Sequence, residues 1–136
     1  MVKLVEIPAD IGRVAEGLRD IGYTFPIAIA DLIDNSIEAN ATVVNVQVGF
    51  SSYGDPLVTI ADNGHGMDYE GLFEAMRYGA AEVDDPNRLG RFGLGLKTAS
   101  TGFCRRLSLV ATPGGGVPLH AAAWDIDLIA ERGGWF

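Results

Sequence analysis

The apolar positions along this chain change their period several times, and each change predicts an element. Residues 9–22 repeat at helical spacing and stop at Gly22, which predicts a short helix. Residues 25–39 predict a second. There Ile29, Leu32, Ile33, Ser36 and Ile37 share an inward stripe. "TVVNVQVGF" then alternates: Val44, Val46, Val48 and Phe50 face one way and Asn45 and Gln47 the other, as in a half-buried strand. "SSYGDP" predicts a turn and "LVTIA" a second strand. Helical spacing returns from Asp68 to about Tyr78, with Asp68 placed as N-cap. "GAAEVDDPNRLGRF" has neither period; it is a polar loop of about fourteen residues, the length of a functional lid. A helix begins inside "GLGLKTASTGF", and "RLSLVAT", a turn at "PGGG" and "LHAAAWDIDLI" predict a hairpin. Together these elements predict an α/β domain of two layers, an antiparallel or mixed sheet with helices on one face.

Composition narrows the setting. The chain has 136 residues, 48% of them hydrophobic, which suits one domain with a real core. The net charge of -8 argues against a direct nucleic-acid surface, because phosphate contacts need clustered Lys and Arg. Cys104 is the single cysteine, so no internal disulfide forms. No run of about 18 apolar residues and no signal-peptide core occur, so no membrane association is expected. The expectation is a soluble, cytoplasmic domain. The chain ends at "ERGGWF", and a sheet closing on the hairpin before it would leave an unpaired edge. Residues 1–136 are therefore expected to be an N-terminal domain cut before its last strand or strands.

Three stretches could carry chemistry. "DLIDNSIEA" places Asp31, Asp34, Asn35 and Glu38 at i, i+3, i+4 and i+7, on one helix face. A solvated helix face looks the same. Alternatively, an Asn carbonyl oxygen suits magnesium and a carboxylate one turn away can take a proton from water. "ADNGHGMD" holds an Asn-Gly pair that would close a hairpin if a strand followed, but "DYEGLFEAMRYG" is helical. Gly64 and Gly66 would then let backbone approach a flat ligand, with the Asp62 carboxylate at the strand end facing an exocyclic amine. His65 between them reads as a loop residue. "GRFGLGLKTAS" leads Gly90, Gly93 and Gly95 into a helix, with Lys97 adding a point charge for phosphate. It is not a Walker A loop, since Leu96 separates Gly95 from Lys97, nor a Rossmann fingerprint, since no strand immediately precedes it.

In order and spacing the three stretches resemble the motifs of the GHKL ATPases (gyrase, heat-shock chaperone, histidine kinase and MutL), whose nucleotide site is the Bergerat fold. "AIADLIDNSIEA" resembles the N box, "DNGHGM" the first glycine box and "GRFGLGLKTAS" the second; the phrasing is most similar to the MORC-like and MutL-like branches. The resemblance covers about residues 10–112 and implies a two-layer α/β sandwich with a mixed, mostly antiparallel sheet. It implies ATP and Mg2+ as ligands. Asp31 would be the general base and Asn35 the residue holding magnesium. Asp62 would accept a hydrogen bond from the adenine amine, with Gly64, Gly66 and Met67 lining the base and Ala39 nearby. Gly93, Leu94 and Gly95 would cradle phosphates, Lys97 would support them, and residues 79–92 would be the lid.

Two positions depart from the family pattern. Its usual base is glutamate, where this chain has Asp31. Many members also bring a threonine to the adenine from a later strand; Thr112 comes too early to match it. The expected activity is slow, magnesium-dependent ATP hydrolysis acting as a switch, with ATP-dependent homodimerisation in a larger protein. The alternatives are a non-catalytic nucleotide-binding module and phosphotransfer of the histidine-kinase kind. The last is disfavoured by a carboxylate at position 31 and by the lack of a preceding phosphoacceptor helix.

Overall fold

The computed structural model describes residues 10–17, 19, 24–77 and 95–134. In chain order it holds α1 (Ile11–Gly17), α2 (Phe25–Glu38), β1 (Val44–Phe50), β2 (Pro56–Asp62), α3 (Tyr69–Met76), α4 (Gly95–Thr101), β3 (Arg106–Ala111), β4 (His120–Asp125) and α5 (Ile126–Arg132). The domain is mixed α/β and its strands pair antiparallel, as expected; the described strands form two two-stranded sheets, β1–β2 and β3–β4.

Helix α2 starts where Thr24 is extended and Pro26 sits in the first turn, a position that needs no backbone N–H. It ends at Ala39, and Asn40 takes a positive φ of 58°. Its buried residues are Ala28 and Ser36, two turns apart, with Leu32 between them half-buried. Helix α4 packs against it, and at one end Phe25 and Phe103 meet edge to face at 5.5 Å. Ile37 was expected on the inward stripe but is 55% exposed. The stripe centres on Ala28, Leu32 and Ser36, and Ile37 lies about 100° further round the helix from Ser36.

The β1–β2 ladder pairs Val44 with Asp62, Val46 with Ile60, Val48 with Val58 and Phe50 with Pro56. The Ser51 hydroxyl shapes its turn by accepting from the backbone N–H groups of Tyr53 and Asp55. The alternation was expected to bury the valine face, yet Val48 is 69% and Phe50 75% exposed. With only two strands in this sheet, the described elements leave the apolar face open at its turn end.

The second hairpin differs from expectation at its end. "DLI" does not continue β4 but opens α5. Asp125 caps that helix, its carboxylate accepting from the N–H groups of Asp127 and Leu128, and Gly133 ends it at φ 64°. Ile126 and Ile129, three apart, then pack with Ala15 and Ile11 of α1 in a small core. Gly12 permits this approach, since a Cβ there would lie 3.1 Å from the Ala130 Cα. Arg105 bridges the same two helices through the carboxylates of Glu16 and Asp127. Its hydrogen bonds hold the Asp127 carboxyl below the usual range. The described part of α1 covers residues 11–17 of the helix expected over 9–22; positions 9, 18 and 20–22 lie outside the described residues. No described helix is long and apolar enough to cross a membrane.

Candidate functional site

Helix α2 carries the acidic strip. Asn35 is exposed and Asp31, one turn earlier, is half-buried. Asp34 and Glu38, on the same strip, are also half-buried. The opposite side of the same helix makes the contact that organises the site. Ser36 is 4% exposed, and its Oγ donates to Oδ2 of Asp62 at 3.0 Å. Asp62 is the last residue of β2, and its Oδ1 accepts from the Gly64 N–H at 2.9 Å. Both oxygens are thus oriented by the protein while the residue remains exposed. An ionised carboxylate can accept about four hydrogen bonds, so two are already made and capacity remains for a ligand.

The loop after Asp62 is pinned from several sides. Asn63 accepts from the N–H groups of Thr42 and Val43 through Oδ1, and its amide donates to the Thr42 hydroxyl. His65 donates its backbone N–H to the Ala39 carbonyl at 2.9 Å. Its ring Nδ1 lies 2.8 Å from the Gly66 carbonyl, which can only accept, so that nitrogen carries the proton. A Cβ on Gly64 would sit 2.7 Å from both the Ala39 Cβ and its carbonyl oxygen. The end of α2 and the glycine loop therefore touch backbone to backbone. Gly66 has φ 62°, and a Cβ there would lie 1.9 Å from the Thr112 carbonyl oxygen, at the start of the β3–β4 loop. Met67 is half-buried against Gly71. Asp68 then caps α3 by accepting from the Gly71 N–H at 2.8 Å, as its position suggested.

Of the residues singled out in the sequence, Ala39, Asp62 and Gly64 come together in one cluster, and Gly66 joins it to Thr112. Asp31 and Asn35 share α2. Gly93, Leu94 and the lid segment 79–92 lie outside the described residues. Gly95 begins α4. Lys97, two residues on, is 1% exposed, and its Nζ donates to the carbonyls of Ala75 at 2.9 Å and Arg77 at 2.5 Å. Burial pushes its pKa down, and the Glu74 carboxylate acts in the opposite direction.

Ser36 was read from sequence only as part of the inward stripe, and its contact with Asp62 was missed. The available signal was a hydroxyl among apolar positions, since a buried hydroxyl needs a partner. The Thr112 contact had no such signal, because it runs through a main-chain carbonyl.

A family model described as "Histidine kinase-, DNA gyrase B-, and HSP90-like ATPase" matches residues 23–136. The DNA mismatch repair protein MutL of Bacillus licheniformis is 27% identical over 138 residues, covering 97% of this chain and 21% of that protein. Protein MICRORCHIDIA 1 of Arabidopsis thaliana is 32% identical over 77 residues, covering 54% of this chain and 12% of that protein. ATPase MORC2B of Mus musculus is 32% identical over 77 residues, covering 54% and 8%. The chain thus spans about a fifth or less of the length of these relatives. With the family model matching well over half its length, and with an oriented aspartate and a glycine loop in place, this chain belongs to the histidine kinase-, gyrase B- and HSP90-like ATPases.

Proposed function

We propose that this domain binds Mg-ATP, hydrolyses it slowly and acts as a nucleotide switch within a larger cytoplasmic protein that pairs with a second copy when ATP is bound. The observation that carries the adenine half of this reading is the exposed Asp62 carboxylate, oriented through Oδ2 by Ser36 and through Oδ1 by the Gly64 N–H. An adenine amine donates to such a group. Gly64, Gly66 and Met67 flank the base and Ala39 closes one side. Gly93, Leu94 and Gly95 cradle the phosphates, residues 79–92 cover them, and Lys97 supports that end of the site. Asn35, exposed on α2, offers the neutral oxygen that magnesium accepts, and the ion would neutralise phosphate charge there. Asp31 takes the proton of the attacking water. One feature favours the second reading, a module that binds ATP or ADP without turnover: the proposed base is an aspartate, shorter than the glutamate usual in this family.

Isothermal titration with ATP and GTP tests the site. Guanine would set an oxygen acceptor against Asp62, costing roughly 1–3 kcal/mol, so ATP should bind at least about tenfold tighter. Asp62→Ala should abolish that preference. Equal affinities for the two nucleotides in the parent chain sink the assignment.

Ser36→Ala provides an independent check. Removing a hydrogen bond to a charged group costs about 1.5 kcal/mol or more, so ATP affinity should fall roughly tenfold. The ATP-to-GTP ratio should fall with it, because Asp62 loses its fixed orientation. An unchanged ratio would show that Gly64 alone sets the carboxylate.

A further inference from the structure

Lys97 is the third residue of α4, yet its ammonium points away from solvent into the end of another helix. Its Nζ donates to the carbonyls of Ala75, in the last turn of α3, and of Arg77, the α3 C-cap. Carbonyls in a final helical turn have no partner within the helix and carry its negative dipole end. A buried lysine there satisfies acceptors and complements the dipole at once. The contact also links two parts of the site. Helix α3 is started by Asp68, directly after the first glycine loop, while α4 starts at Gly95 of the second. Helix α4 also packs on α2, which carries Asp31 and Asn35.

We propose that Lys97 is a positioning residue that clamps the C-terminal end of α3 to α4, so that the glycine loop leading into α3 and the start of α4 at Gly95 are held in one register. It acts on the nucleotide through the position of the start of α4 rather than by contact with phosphate. This refines the nucleotide-site reading and rests on it only for its consequence, not for the clamp itself.

The chain has two lysines, Lys3 and Lys97, so amine labelling followed by peptide mass spectrometry resolves them cleanly. With an acetylating reagent, Lys97 in the native chain should react at least about tenfold more slowly than in the same chain in urea, because reaction needs local opening. A lowered pKa alone would speed the reaction, so slow labelling reports burial. Adding ATP should leave the rate slow. Rapid labelling that ATP blocks would identify a phosphate-facing lysine and overturn the clamp.

Variants supply the functional half of the test. In Lys97→Met without nucleotide, hydrogen exchange at the last turn of α3, including the Arg77 N–H bonded to Phe73 and Glu74, should rise about tenfold while α2 is unchanged. Lys97→Arg, which keeps a cation able to donate, should restore most of the protection. ATP affinity should fall about tenfold in Lys97→Met while adenosine affinity stays within about twofold, since only the phosphate end is displaced. Unchanged exchange in α3 overturns the proposal, as does an equal loss for ATP and adenosine. If Lys97→Met does not fold, labelling of the parent chain still decides. If the parent binds neither ATP nor adenosine, the functional reading fails, and the labelling and nucleotide-free exchange still report on the clamp.

Discussion

Gly66→Ala is expected to destabilise the domain by about 2–5 kcal/mol and to remove nucleotide binding with it. Two costs combine. The residue has φ 62°, where an L side chain is strained by roughly 1–2 kcal/mol. The added Cβ would also fall 1.9 Å from the Thr112 carbonyl oxygen and 2.8 Å from its carbonyl carbon. Those are main-chain atoms and cannot rotate aside, so the loop or the β3–β4 hairpin must shift, at the 1–3 kcal/mol or so of an overpacked site. A natural domain has only about 5–15 kcal/mol to lose. Gly54 separates the two terms. Its φ is 86°, and nothing lies within 4 Å of its missing Cβ, so Gly54→Ala carries strain without collision. Urea denaturation of both variants should show a much larger midpoint shift for Gly66→Ala. Equal shifts would mean that the contact with Thr112 contributes nothing.

Helix α2 was legible to within a residue because its apolar period, with Leu32 and Ser36 at helical spacing, is a local signal. Asp68 was legible as a cap for the same reason. "AAAWDIDLI" misled because its alternation mimics a strand, while the deciding features were the Asp125 cap and the three-residue spacing of Ile126 and Ile129. Burial in β1 was overestimated because alternation tells which face is apolar, not whether anything covers it. The site divides along the same line. The grouping of Asp62, Gly64 and Ala39 was legible because their motifs are contiguous and the family resemblance names them together. Ser36 reaches Asp62 across 26 positions and Lys97 reaches Ala75 across 22, and no short-range pattern encodes such pairings. The Lys97 partners are main-chain carbonyls, which no side-chain motif marks.

Asp31→Asn should lower ATP hydrolysis by about a hundredfold or more while leaving ATP affinity within about twofold, because a positioned general base contributes roughly 10²–10⁴ in rate. The amide keeps the shape of the half-buried side chain and loses the basicity. Asp34 provides the control. It lies on the same strip, three residues on, and is also half-buried, so Asp34→Asn changes local charge by the same amount. Its turnover should stay close to that of the parent. Asp31→Glu then asks about reach. The longer side chain extends by one C–C bond, about 1.5 Å. A base must come within about 2.6–3.2 Å of its water, or act through a second one, and an error near 1 Å costs on the order of a hundredfold. Faster turnover in Asp31→Glu would mean that aspartate falls short and that the natural domain is slow for want of reach. Slower turnover would mean that α2 is set closer to the phosphates and that the site is built around the shorter acid. Steady-state phosphate release by the three variants, beside ATP titrations, separates these results. If Asp31→Asn hydrolyses ATP as fast as an active parent, the proton leaves by another route, and the carboxylates of the strip on α2 are a charged helix face.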